Sequence, residues 1–174
     1  FDVKNQLNFF NLKGEVFKVP FSLNFSHNDI LNKYTKIDFK SKFLKLDISN
    51  NFFVEKNKLI TGNNTISFLN SIFNTKYDIK EKLIIFKSGN SKLNNSQLSY
   101  GGELSINPFD LDLNIKLTDY KVSKLFNTNS ILVELFKSKL LFNNNISINS
   151  SLDVSSDSKN EIFNKGKINF NIIN

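Results

Sequence analysis

Residues 109–117 alternate without a fault, with Phe109, Leu111, Leu113, Ile115 and Leu117 at odd positions and Asp110, Asp112, Asn114 and Lys116 between them. Side chains of an extended strand point alternately to its two sides, so this segment has one apolar face and one wet face. The same period runs through Phe17, Val19, Phe21, Leu23 and Phe25, set against Lys18, Pro20, Ser22 and Asn24. Phe73, Thr75, Tyr77 and Ile79 share a face, as do Leu140, Phe142, Ile146 and Ile148, with Asn144 as an interruption and Leu152 and Val154 as an extension. Ile168, Phe170 and Ile172 close the series. The expected fold is mostly β. Clean alternation favours antiparallel pairing, because buried parallel strands are apolar on both faces.

Turns are expected at residues 26–29, 49–51, 62–64, 88–90 and 157–160, where Asn, Asp, Ser and Gly gather. These residues tolerate or stabilise tight-turn conformations. The spacing leaves strands of about ten residues, longer than the usual five or six. One strand changes phase: Ile37, Phe39 and Phe43 are odd, whereas Leu44, Leu46 and Ile48 are even. A β-bulge near Phe43 would restore a common face; the alternative is a strand that passes from one environment to another. Residues 120–137 break the alternation. Val122, Leu125 and Phe126 have the spacing of a helical turn, and Ser130 is placed to cap a second helix carrying Ile131, Leu132 and Leu135. A short helical excursion is expected there.

The chain also repeats itself. Residues 14–25 read GEVFKVPFSLNF and residues 102–113 read GELSINPFDLDL. They align without a gap, roughly 88 residues apart, and internal repetition is the mark of a repeat architecture. Both prolines of the protein, Pro20 and Pro108, fall at the same place in the two copies. A proline belongs at a strand edge or bulge because it cannot donate to the ladder. The mechanical expectation is that Gly14 and Gly102 open a strand, and that the proline then bends it. A sheet bent at the same point in each unit curves into a trough. Residues 1–174 are accordingly expected to form one segment of about two unequal repeats.

Little in the composition points to catalysis. The chain has no Cys, which removes disulfides and thiolate metal sites. His27 is the single histidine and is expected in a polar turn, where it lacks the partners of a metal site or a catalytic base. Asp110 and Asp112 lie on a wet strand face, and Gly101-Gly102 has no phosphate-loop context. No cofactor, metal site or catalytic residue is expected. The net charge is +7, yet the basic residues are all Lys and are scattered, so no nucleic-acid partner is expected. Abundant Lys and Asn match an AT-rich genome, and the N-x-S/T sequons at Asn24 and Asn145 follow from that abundance. No run reaches the ~20 apolar residues of a membrane-spanning helix. The chain begins at Phe1 and has no Met, so it is expected to be a piece of a longer protein.

What remains is an apolar face rich in Phe, which supplies 19 residues against four Tyr and no Trp. It would serve either as the closed core of a β-sandwich or as the open inner face of a curved sheet. The pattern G-x-L-x-x-x-P-F-x-L-x-L resembles the AsmA-like proteins, a group with TamB-type and other repeating β-groove lipid-transfer proteins. Here Gly102, Leu104, Pro108, Phe109, Leu111 and Leu113 carry it, followed by the helical stretch at 122–135. Gly14, Val16, Pro20, Phe21, Leu23 and Phe25 carry a second copy, and residues 59–79 resemble the strand-turn-strand that precedes the motif. The resemblance implies a long, twisted U-shaped sheet with an apolar interior. It further implies a periplasmic protein of a Gram-negative envelope whose parent chain is anchored in the inner membrane. It would conduct phospholipids towards the outer membrane, without catalysis. The residues expected to line the groove are Phe17, Val19, Phe21, Leu23, Phe25, Phe109, Leu111, Leu113, Ile115, Leu117, Leu140, Phe142, Ile146 and Ile148. The alternative is a structural or adhesin-like β-sandwich module with a closed core and no lipid.

Overall fold

The computed structural model describes residues 7–28, 34–55, 59–121, 146–157 and 165–172. Twelve strands account for most of them: β1 (Leu7–Val16), β2 (Val19–Asn28), β3 (Tyr34–Ser41), β4 (Leu46–Val54), β5 (Ile60–Phe68), β6 (Ser71–Lys80), β7 (Leu83–Ser88), β8 (Ser91–Leu93), β9 (Ser96–Ile106), β10 (Phe109–Thr118), β11 (Ile146–Ser155) and β12 (Lys165–Ile172). No helix occurs among the described residues. The expected excursion at 120–137 falls outside them except for Tyr120 and Lys121, which belong to no element.

All twelve strands join one sheet, in the order β1-β2-β3-β4-β5-β6-β7-β9-β10-β11-β12, with the short β8 off this path and paired to β6 and β9. Every pairing is antiparallel except β10 with β11, which is parallel. A parallel neighbour needs a crossover of a dozen or more residues, and residues 119–145 supply it. Alternation reports that one face is wet, and it is silent on direction; β10 and β11 keep the same wet face while running the same way.

Register then decides which residues share a face, since directly paired residues lie on the same side. Following the pairings from β1 to β12, the alternating apolar positions of most strands fall on one side of the sheet, while Phe9, Phe53, Ile72, Leu83 and Ile85 lie exposed on the other. The other side carries cross-strand polar pairs such as Ser49 Oγ to Asp38 Oδ1 at 2.6 Å and Thr65 Oγ1 to Asn74 Oδ1 at 2.8 Å. Twist accumulates along such a ribbon, and open sheets beyond about ten strands curl, split or flatten. At the far end of this one the apolar side is buried. There Leu98, Leu117, Leu152 and Val154 form a buried cluster, packed on by Phe73, Leu93, Tyr100, Ile115, Tyr120 and Ile168 from six neighbouring stretches of chain.

Several local expectations are corrected. The phase change at Phe43 is a hairpin turn between β3 and β4, not a bulge, with Lys45 N donating to Lys42 O at 3.2 Å. Residues 49–51 and 62–64 are not turns: they lie inside β4 and β5, where Asn50 pairs with Asn64. His27 lies in β2, half-buried, with Nδ1 2.8 Å from Thr35 Oγ1. Gly14 and Gly102 open no strand either. Each sits inside the first strand of a hairpin, and no described glycine has a positive φ. The turn falls at Phe17-Lys18 in the first copy and at Asn107-Pro108 in the second, so Gly14 pairs with Phe21 but Gly102 pairs with Leu113. A side chain at Gly102 would run into the Asp112 backbone carbonyl, so the need there is for space.

Candidate functional site

The candidate site is the apolar face. Two unbroken apolar rows cross the strands along it. The first is Leu12, Leu23, Phe39, Ile48, Ile66 and Phe73, each paired with the next from β1 to β6. The second is Val54, Ile60, Ile79, Ile84, Leu104, Leu111, Ile148 and Ile172, from β4 to β12 through β7 and β9. β-branched and aromatic residues suit this pleated, half-buried surface. Phe21 adds to the first row by stacking on Phe39, with ring centroids 5.6 Å apart.

A polar band separates the rows. Asn50, Asn64, Thr75 and Ser88 are paired in sequence from β4 to β7. Tyr77 Oη donates to Asn50 Oδ1 at 2.9 Å, spanning β5 above Gly62, whose missing side chain leaves room for the ring. Thr75 Oγ1 lies 2.6 Å from Tyr100 Oη, and Tyr100 N donates to Ser88 Oγ at 2.9 Å. The band ends at β4, where Asn50 pairs with Ile37; the Thr35–His27 contact on β3 and β2 lies two residues away, beside Phe52. A buried polar group is expensive without a partner, and most of these groups bond to one another; Asn64 Oδ1 is the member left without one.

Exposure distinguishes the two ends of the face. From β1 to β7 no described hydrophobic side chain is fully buried; those that are, Leu98, Leu117, Ile148, Leu152 and Val154, all lie on β9, β10 and β11. Among the described residues, most of the apolar face is therefore half-exposed, with its fully buried hydrophobic residues on β9, β10 and β11. Two shallow depressions, of about 600 and 420 Å³, lie mainly on the polar side of β9–β12, around Lys116, Asp153 and Lys167.

Most of the residues expected to line a groove lie where alternation places them. Val19, Phe21, Leu23, Phe25, Leu111, Leu113 and Ile115 are half-buried on the apolar face, Phe109 is exposed at its margin, and Leu117 and Ile148 are buried. Ile146 occupies the first position of β11, opposite Phe109. Phe17 leaves the row: it lies at the tip of the β1–β2 turn and is 97 % exposed. Leu140 and Phe142 lie outside the described residues. The polar band was missed, because its Asn50 and Asn64 carry the composition of turns. The available signal was parity, since both fall in step with Ile48 and Phe52 or with Ile60 and Ile66.

Comparisons with protein-family models, with curated proteins and with solved structures give no match for this chain.

Proposed function

We propose that this chain is a segment of a bridge-like lipid-transfer protein that shields phospholipid acyl chains on an apolar β-groove. The observation that carries the reading is the pair of continuous apolar rows, left half-exposed over seven strands with no described layer packed on them. Soluble monomers rarely expose contiguous apolar patches beyond a few hundred Å², so such a face calls for an occupant. An acyl chain laid along a row gains about 0.8 kcal/mol for each methylene taken out of water. The resemblance of the Gly-Pro motif to AsmA-like proteins extends the proposal to a periplasmic setting, with the parent chain anchored in the inner membrane of a Gram-negative bacterium and supporting outer-membrane assembly. The role is passive, with no catalytic residue and no nucleic-acid partner.

Mass spectrometry of lipid extracted from the purified protein tests this. Co-purifying phospholipid in near-stoichiometric amount is the expected result; none, from protein prepared without detergent, would sink the reading. The second reading, a structural or adhesin-like module, draws on the buried cluster around Leu98, Leu117, Leu152 and Val154. It expects that closure to extend over the whole face and to exclude lipid.

A further inference from the structure

Three successive hairpin turns are built from residues that turn geometry disfavours. The β1–β2 turn is Phe17-Lys18, the β3–β4 turn is Lys42-Phe43-Leu44-Lys45, and the β5–β6 turn is Leu69-Asn70. Antiparallel order puts them on one rim of the sheet, and hydrogen bonds join them. Ser41 Oγ donates to Pro20 O at 2.9 Å, and Leu69 N donates to Lys45 O at 3.2 Å. Phe17, Lys18, Lys45 and Leu69 hold φ of 49°, 63°, 51° and 53°. Gly, Asn and Asp occupy that region readily, whereas bulky side chains are outliers there. The apolar tips are nonetheless in water: Phe17 is 97 %, Phe43 70 % and Leu69 61 % exposed.

The same left-handed backbone recurs at Glu81 on the opposite rim, with φ of 55°, so what sets this rim apart is its side chains: each of the three turns carries an exposed apolar residue. Lys18, Lys42 and Lys45 flank the exposed Phe and Leu of the first two turns, and none of the three turns contains an acidic residue. The tips stand roughly 10 Å apart, two strand spacings each. The next turn on this rim, Asn94-Asn95, has neither character, and the Glu81-Lys82 turn on the opposite rim has balanced charge. Lysine is depleted from protein–protein contacts, and separated apolar points fit a deformable surface better than a rigid one. Apolar side chains flanked by lysines are the make-up of interfacial membrane anchors.

We propose that this rim docks on an anionic lipid bilayer, with Phe17, Phe43, Leu44 and Leu69 entering the headgroup region and the three lysines lying against lipid phosphates. The inference rests on the turns alone; a face that carried no lipid would leave it standing.

The protein contains no Trp, so Phe17→Trp provides a single fluorescent reporter at an exposed site. With phosphatidylglycerol vesicles its emission is expected to shift to the blue. Sedimentation with the same vesicles should weaken about fivefold for each of Lys18→Gln, Lys42→Gln and Lys45→Gln, roughly a hundredfold together. The combined Phe17→Ser, Phe43→Ser and Leu69→Ser variant should lose about tenfold or more, with its circular dichroism unchanged. Phosphatidylcholine vesicles should bind more weakly. Absence of the blue shift, equal binding of the variants, or equal binding to neutral vesicles would overturn the proposal. So would a blue shift that appears without vesicles as protein concentration rises, which would assign the rim to self-association.

Discussion

Replacing Gly62 by alanine should destabilise the protein, and the loss should change sign when Tyr77 is absent. A Cβ at Gly62 would fall within 2.9 Å of Tyr77 Cε2 and press on Cζ and Oη. The ring must lift, which breaks the Tyr77 Oη to Asn50 Oδ1 hydrogen bond, a loss of about 1 kcal/mol. Crowding of a packed site adds about 1–3 kcal/mol. Against this, alanine is better than glycine inside a strand by about 0.5–1 kcal/mol, largely through the unfolded chain. The net expectation is a loss of about 1–3 kcal/mol, read from urea unfolding followed by far-ultraviolet circular dichroism. In a Tyr77→Ala background the obstruction is gone, and Gly62→Ala should then be neutral or stabilise by up to about 1 kcal/mol. An equal loss in both backgrounds would refute the reasoning, because the origin would then be the backbone rather than the ring.

Ser41 is 1 % exposed; its hydroxyl donates to Pro20 O at 2.9 Å and accepts from Leu44 N at 3.5 Å, so Ser41→Ala should cost about 1–3 kcal/mol in the same unfolding assay by stranding that carbonyl. Leu113→Asp should abolish co-purifying lipid while leaving the far-ultraviolet spectrum unchanged, because Leu113 is only half-buried on the apolar face; retained lipid would take that face out of the account. The carboxyl of Asp119 is held above its ordinary value of 3.8, first by its hydrogen bond with Asp157, then by lost hydration and the Asp157 charge. A raised folded-state value means stability that is fully present below pH 3.8 and is lost as pH rises through the raised value. Unfolding midpoints should therefore show this decline in the native chain, and Asp157→Asn should flatten it.

The apolar faces of β2 and β10 were legible because a period of two leaves one geometric solution, and register then extended that solution to most strands; β7 divides Ile84 and Phe86 from Leu83 and Ile85. The turns were harder to read because this chain exchanges the usual roles. Asn50, Gly62 and Asn64 have turn composition but serve mid-strand, where two Asn side chains face each other across β4 and β5 and a glycine makes room for Tyr77. Phe17-Lys18 and Lys42-Phe43-Leu44-Lys45 have strand composition but form the turns. Local propensity is weak against register, since shifting either strand by one residue would turn a whole apolar set to water. The parallel β10–β11 pair was hidden for a different reason: alternation encodes burial of one face and carries no direction. The twin Gly-Pro phrases, expected to open and bend a strand, fall instead on two hairpins whose turns differ by two residues, so similar sequence here codes for different pairing at Gly14 and Gly102.

The central claim is that acyl chains touch one face of this sheet and not the other. Photocrosslinking residues introduced singly along β2 and β10 test it directly, in cells, with lipid adducts detected by mass spectrometry. The account predicts a period of two: adducts at Leu23, Phe25, Leu111 and Leu113, and none at Asn24, Asp112 or Asn114. Adducts at every position, or at none, would contradict it.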